Sequence, residues 1–327
     1  SIGGRSRTLP RIPDNGSLAA GIVRRAGVTI TNSSAIPRRP FGNTGEEVSL
    51  LALGGAHIGR PDEKDSIRMM HQAFDAGVTF LDNAWEYNAG ISEFRMGNAI
   101  KEWGRRDELF VMTKDCAHDR KAPNSMVKLE QSLRRLQVDV LDLWQIHEVV
   151  WEDDPDWIFA PGGSAEAMLK AKEQGKVRYI GFTGHKHPDI HKRMLSQGFP
   201  WDAVQMPLNA LDAHYASFEQ EILPICLEQG IAVIGMKSFA AGNIFDETDI
   251  TPAEALRYSM SLPVATVVSG IDSFEVLEQN LAIARGFTPM SDDERTALLA
   301  RTANAAGSGA SERFKTTRDF DANEGRV

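Results

Sequence analysis

The stretch Ala76-Gly77-Val78-Thr79-Phe80-Leu81-Asp82 decides how the chain is read. It holds the end of a helix-period segment, a glycine suited to a left-handed helix C-cap, a short apolar run of strand type, and a carboxylate where that run stops. The order recurs. Apolar runs fall at 49–53, 79–82, 109–113, 140–146, 178–182, 203–206, 231–234 and 264–268. Helix-period segments follow at 64–76, 91–103, 124–136, 165–173, 188–196, 217–228, 252–261 and 274–283. Gln174-Gly175 and Gln229-Gly230 repeat the glycine before a strand. Eight strands, each followed by a helix, predict an α/β chain folded as a (β/α)8 TIM barrel. The alternative, a doubly wound sheet, usually carries G-x-G-x-x-G after its first strand, and no such run occurs.

Working outward, residues 39–48 put turn residues between apolar ones and suit a hairpin closing the barrel floor. Residues 292–305 read as an extra helix with Ser291 as N-cap, and 307–327 as a polar tail. The expected organisation is therefore an irregular extension over 1–38, a barrel over 39–306 and a tail over 307–327. The 327 residues carry 36 Lys and Arg against 45 Asp and Glu, a net −9. That balance speaks against non-specific nucleic-acid binding. It is uneven: residues 1–40 hold seven Arg and one Asp, +6, so the rest carries −15. The head has no apolar run of signal-peptide or membrane-helix length, and Arg24-Arg25 lacks the hydrophobic stretch that twin-arginine export needs. Two cysteines far apart, Cys116 and Cys226, suit a reducing compartment, so a cytoplasmic protein is expected, with no membrane partner and an oligomeric state left open.

In a barrel the chemistry sits at the C-terminal ends of the strands. Three consecutive strands end in Asp82, Lys114 and His147, and Tyr87 follows Asp82 in the next loop. Taken singly, each has a plain structural reading: a helix cap, a rim charge, a core imidazole, a loop aromatic. Together they place an acid, a cation, an imidazole and a phenol on one face. A phenol has a pKa near ~10, so donating a proton at neutral pH calls for a cation that stabilises the phenolate. Lys114 supplies that charge, Asp82 orients it, and His147 donates to a substrate carbonyl. Since nothing here provides an electron pair, a nicotinamide cofactor is the expected hydride source.

These residues resemble the aldo-keto reductase superfamily. The resemblance runs from about Arg39 to Ala284 through Phe41-Gly42-Asn43-Thr44-Gly45, Leu53-Gly54-Gly55, Asp82-Asn83-Ala84-Trp85-Glu86-Tyr87, Thr113-Lys114, Gln145-Ile146-His147, Arg178-Tyr179-Ile180-Gly181 and Val204-Gln205, ending at Gly270 with Glu275, Gln279 and Asn280. It implies that Asp82, Tyr87, Lys114 and His147 form the catalytic tetrad, with Tyr87 as general acid in hydride transfer to an aldehyde, ketone or sugar. It also implies NADPH, with NADH as the other choice, lying across the mouth near Gly55 and Ala56. Gln205 would meet the carboxamide, Lys237 and Ser238 the pyrophosphate, and Gly270, Asp272, Gln279 and Asn280 the adenosine end. Two alternatives stand beside this reading: a cofactor-binding regulatory subunit with negligible turnover, and a secondary-alcohol or sugar dehydrogenase running in the oxidative direction.

The chain departs from the pattern it resembles. Thr183-Gly184 stands where many members have Ser-Asn, Met236 where a tyrosine often stacks on the nicotinamide, and no arginine lies near Val276 to meet a 2′-phosphate, for which Lys237 or Arg285 is the substitute. Trp85 and Trp151 are candidates for an apolar substrate pocket or for packing. His185, His187 and His191 with Asp189 have the look of a metal cluster, but hydride chemistry needs no metal and a solvated loop and helix start is the expectation. Glu152 to Asp156 reads as a solvated loop, and Phe314 and Phe320 as residues that fold over the mouth or stay disordered.

Overall fold

The computed structural model describes residues 35–321, so the irregular head expected over 1–38 lies outside the described residues up to 34, as do the last six residues. Two short antiparallel strands, β1 (Arg38–Pro40) and β2 (Glu47–Ser49), make the expected hairpin. Eight parallel strands then close a barrel: β3 (Leu51–Gly54), β4 (Phe80–Asp82), β5 (Phe110–Lys114), β6 (Leu141–Ile146), β7 (Val177–Thr183), β8 (Ala203–Pro207), β9 (Ala232–Met236) and β10 (Thr266–Gly270), the last pairing with the first. Strand interiors are buried on both faces, which explains why they read as continuous apolar runs.

Helices wrap the barrel: α1 (Glu63–Asp75), α2 (Ile91–Trp103), α3 (Ala122–Leu136), α4 (Asp154–Phe159), α5 (Ser164–Glu173), α6 (Pro188–Leu195), α7 (Phe218–Glu221), α8 (Leu223–Gln229), α9 (Asn243–Glu247), α10 (Pro252–Ser261), α11 (Phe274–Arg285), α12 (Asp292–Ala306) and α13 (Arg313–Thr316). One core lies between strands and helices. A second fills the barrel, with Ala52, Phe80, Phe110, Met112, Leu143 and Ile234 among its residues. Phe41 from the hairpin plugs its floor, fully buried, its ring 4.8 Å from Phe110. Arg39 fastens the hairpin by donating to the carbonyls of Met260 in the last turn of α10 and of Leu262 and Val264 past its end.

Three expectations are corrected. The segment expected as one helix over 217–228 is two, because Pro224 in the first turn of α8 cannot continue a helix through the preceding turn. The acidic run at 152–156 is not a solvated loop: it opens α4, and the buried Asp154 carboxylate accepts from Arg120 at 3.2 Å and from the backbone amides of Val150 and Trp151, each at 2.9 Å. The tail is polar only in part. Phe314 is fully buried, and Lys315 is buried between Asp212 (2.6 Å) and Glu312 (2.7 Å). Burial pushes Glu312 up to about 7, with Lys315 opposing.

Candidate active site

The C-terminal ends of β4, β5 and β6 and the loop after β4 build the site. Asp82 ends β4 and Lys114 ends β5, both with their side chains in the barrel mouth and almost fully buried. Lys114 Nζ donates to Asp82 Oδ1 at 2.6 Å, to the Asn83 carbonyl at 2.8 Å and to the Tyr87 hydroxyl at 3.4 Å. The other Asp82 oxygen accepts from Gln205 Nε2 at 2.7 Å. Each carboxylate oxygen thus has a partner, and the ammonium is held between the carboxylate and the phenol.

Tyr87 opens a tight turn in which Asn88 (φ 53°) and Ala89 (φ 54°) both take left-handed backbone. For alanine this strain is about 1–2 kcal/mol. Arg135 from α3 braces the turn by donating to the Trp85 carbonyl at 2.9 Å and to buried Glu93 at 3.2 Å. His147 follows β6 immediately, and its ring stands edge-on to Tyr87 with centroids 5.6 Å apart. Its Nδ1 pairs with the carboxylate of Glu86. All four predicted catalytic residues therefore come together.

Electrostatics fit the arrangement. Burial, and after it the carboxylates of Asp82, Glu148 and Glu86, push the Tyr87 hydroxyl well above its ordinary value, so it is held protonated. Burial lowers the Lys114 ammonium, and Asp82 opposes that effect. Burial raises Glu86, but the His147 imidazole, with the Ala117 amide and His118, outweighs it and leaves the carboxyl at about 2. Glu86 is the residue that sequence reasoning missed. Its place directly before Tyr87 was the only signal, and nothing in the spacing told that it faces His147.

Along the rest of the mouth, several buried polar atoms have no partner among the described residues: Gln205 Oε1, Ser238 Oγ, His57 Nδ1 and Asn280 Oδ1. They lie on β8 and on the segments after β3, β9 and β10, where the family resemblance implies a cofactor, and their mix of amide and hydroxyl groups suits a carboxamide, a phosphate and an adenine. Asn280 also donates from its Nδ2 to Ser269 Oγ at 3.0 Å. Gly55 lies under Asn83, where a Cβ would meet the Asp82 carbonyl at 2.5 Å, and a Cβ at Gly270 would meet His57 at 2.3 Å. Ala56 is half-buried beside them, while Asp272 and Gln279 are exposed. Gly184 has a local reason for lacking a side chain: a Cβ there would sit 2.3 Å from the Val149 carbonyl. The Thr183 hydroxyl points to Met236 Sδ at 3.9 Å. Half-buried Lys237, with φ 55°, holds its ammonium 5.1 Å from the Phe314 ring centroid and 5.7 Å from that of Phe320, so both tail aromatics lie at the mouth.

The two tryptophans part company. Trp85 faces α3, its Nε1 donating to Gln131 at 2.8 Å beside Lys128 and Arg135, so these contacts do not bring it to the tetrad. Trp151 lines a cavity of about 980 Å³ with Lys186, His187, Arg318 and Asp321. The three histidines of the loop after β7 also diverge: His187 caps α6, His191 is buried between Phe182 and Phe218, and His185 is buried and pairs with Asp321 at 3.2 Å. The solvated reading thus fits His187 and not the other two.

The profile of the aldo/keto reductase family matches residues 50–254. The chain belongs to that family. An aldo-keto reductase of Bacillus subtilis is 33% identical over 216 residues, 61% of this chain and 61% of its own length. A relative named L-galactose dehydrogenase, from Arabidopsis thaliana, is 25% identical over 300 residues, 80% of this chain and 92% of its own. Among solved structures, the aldo-keto reductase of Bacillus halodurans in its holo form superposes with a TM-score of 0.70 at 26% identity, covering 81% of this chain and 96% of that one. The family is a class of oxidoreductases. Among the described residues no helix is long and apolar enough to cross a membrane.

Proposed function

We propose that the chain is a carbonyl reductase using NADPH, with NADH as the second choice, and that Tyr87 is its general acid. The observation that carries this is the Lys114 ammonium, held 2.6 Å from Asp82 and 3.4 Å from the Tyr87 hydroxyl. When bound, the cofactor supplies a hydride to the carbonyl carbon. The Tyr87 hydroxyl gives its proton to the carbonyl oxygen, and Lys114 stabilises the phenolate that this leaves. Asp82 keeps the ammonium charged and fixed. His147 has one nitrogen engaged by Glu86, so its other nitrogen is oriented to hold the substrate oxygen beside Tyr87. Gln205, anchored to Asp82 through its Nε2, offers its free Oε1 to the carboxamide, while Thr183, Gly184 and Met236 form the wall beside it. Lys237 and Ser238 hold the pyrophosphate, and Gly270, Asp272, Gln279 and Asn280 surround the adenosine end, with Gly55 and Ala56 at the near side. Trp151 and the tail bound the substrate side.

A cytoplasmic small-molecule enzyme without nucleic-acid or membrane partners agrees with this chemistry. The relative named L-galactose dehydrogenase favours a second reading, in which the same residues run in reverse on a sugar or secondary alcohol, Tyr87 then taking the proton. The test is to follow NADPH and NADH oxidation, and NADP⁺ and NAD⁺ reduction, by the purified chain over aldehydes, ketones, sugars and secondary alcohols. Turnover in either direction supports the proposal. Cofactor binding with no turnover on any class would favour a regulatory subunit instead.

A further inference from the structure

The loop after β5 reads Asp115-Cys116-Ala117-His118-Asp119, and it runs beside Glu86 in the loop after β4. Glu86, Cys116 and His118 each offer one ligand atom, and the three atoms lie within 4.8 Å of one another. The loop is held in place from several sides. Cys116 N donates to Asp115 Oδ1 at 2.8 Å, Ala117 N donates to Glu86 Oε2 at 3.1 Å, and Asp119 accepts from Lys121 N at 2.9 Å and from Asn124 at 2.7 Å at the start of α3. Cys116 is a buried free thiol. His118 keeps a buried Nδ1 with no hydrogen-bond partner.

A thiolate, an imidazole and a carboxylate are together the donor set of zinc, with bonds of about 2.0–2.3 Å. Three such donors around one tetrahedral ion stand about 3.5 Å apart, so the cluster needs to close by roughly an ångström. Three protein ligands leave a fourth position for water. An all-oxygen cation such as Mg²⁺ is a poor match, because sulfur and nitrogen are two of the three donors.

We propose that Glu86, Cys116 and His118 form an inhibitory site for a thiophilic divalent cation, zinc being the best chemical match. Binding takes the Cys116 sulfur as thiolate, its proton leaving to solvent, and no electrons move. The consequence follows from Glu86, whose carboxylate also engages His147 Nδ1. An ion on Glu86 competes for that carboxylate and loosens the hold on His147, so turnover falls. This last step rests on the role proposed above for His147, whereas the site itself does not.

The test uses the purified full chain, Co²⁺ as spectroscopic probe and Zn²⁺ as competitor, with cofactor left out for the spectra and supplied for turnover. One equivalent of Co²⁺ is expected to give a sulfur-to-cobalt charge-transfer band that Zn²⁺ removes. Cys116→Ser should abolish the band, and His118→Ala should weaken binding, with thermal unfolding checking that both variants fold. Stoichiometric Zn²⁺ should lower turnover of the unaltered chain about tenfold, the scale on which loss of a histidine's outer partner acts. Cys116→Ser should keep its basal turnover and escape inhibition. Absence of the charge-transfer band, or a band that persists in Cys116→Ser, overturns the site. A band with Zn²⁺-insensitive turnover overturns inhibition alone. A chain inactive on every substrate refutes the proposed function, and the cobalt spectrum still decides the site.

Discussion

Lys114 and Asp82 form a buried ion pair at 2.6 Å on adjacent strands, and the same ammonium reaches the Tyr87 hydroxyl at 3.4 Å. One cation therefore serves fold and chemistry together. It neutralises a carboxylate that the barrel mouth desolvates, and in the proposed reaction it stands where negative charge would develop as the phenol gave up its proton.

Removing it should be felt twice. Lys114→Met leaves the Asp82 carboxylate buried without its counter-charge, for which about 3–5 kcal/mol of stability is the expected loss. Asp82→Asn combined with Lys114→Met should recover part of that loss in urea unfolding and none of the turnover. Equal stability of the single and double variants would show that the pair does little for the fold.

Glu86 should make stability sensitive to acid in a defined window. Its carboxyl is held at about 2 against an ordinary 4.5, because His147, with the Ala117 amide and His118, outweighs the effect of burial. A depressed carboxyl contributes fully above its unfolded value and loses that contribution as pH falls through its folded one. Unfolding free energy should therefore drop between pH 4.5 and pH 2 less steeply in Glu86→Gln than in the unaltered chain. At neutral pH the same variant should lower kcat, since His147 loses the partner that orients it. Parallel stability curves would show that the Glu86–His147 pairing is not made in solution.

Gly184→Asn restores the amide that many members of the family carry there, and it should harm this chain. The added Cβ would meet the Val149 carbonyl at 2.3 Å, so backbone must shift. The expected loss is about 1–3 kcal/mol in unfolding, with weaker cofactor binding by fluorescence titration. Tighter binding without a stability loss would show that the loop after β7 adjusts freely.

The barrel was legible because each strand ends against glycine, helix period or a lone polar residue. Phe80-Leu81-Asp82 and the run up to Lys114 are examples in which a buried parallel strand leaves a continuous apolar signature. What escaped notice depends on contacts far apart in sequence. Asp154 reads as one more solvated acid until Arg120 and two loop amides fold onto it. Lys315 reads as tail polarity until Asp212, about a hundred residues earlier, pairs with it in the interior. Glu86 is similar: its neighbour in sequence is Tyr87, but its partner is His147, 61 positions later. Asp82, Lys114 and His147 could be listed from strand ends and Tyr87 from the loop after one of them, whereas the partner of the imidazole could not.

The central claim is that Tyr87 is the proton donor, and Tyr87→Phe tests it most directly. The substitution removes one oxygen and keeps the ring that stacks edge-on with His147. With the best carbonyl substrate, turnover should fall by about two to four orders of magnitude while cofactor affinity, measured by fluorescence quenching, stays unchanged. Turnover comparable to the unaltered chain, with cofactor bound equally well, would contradict the account.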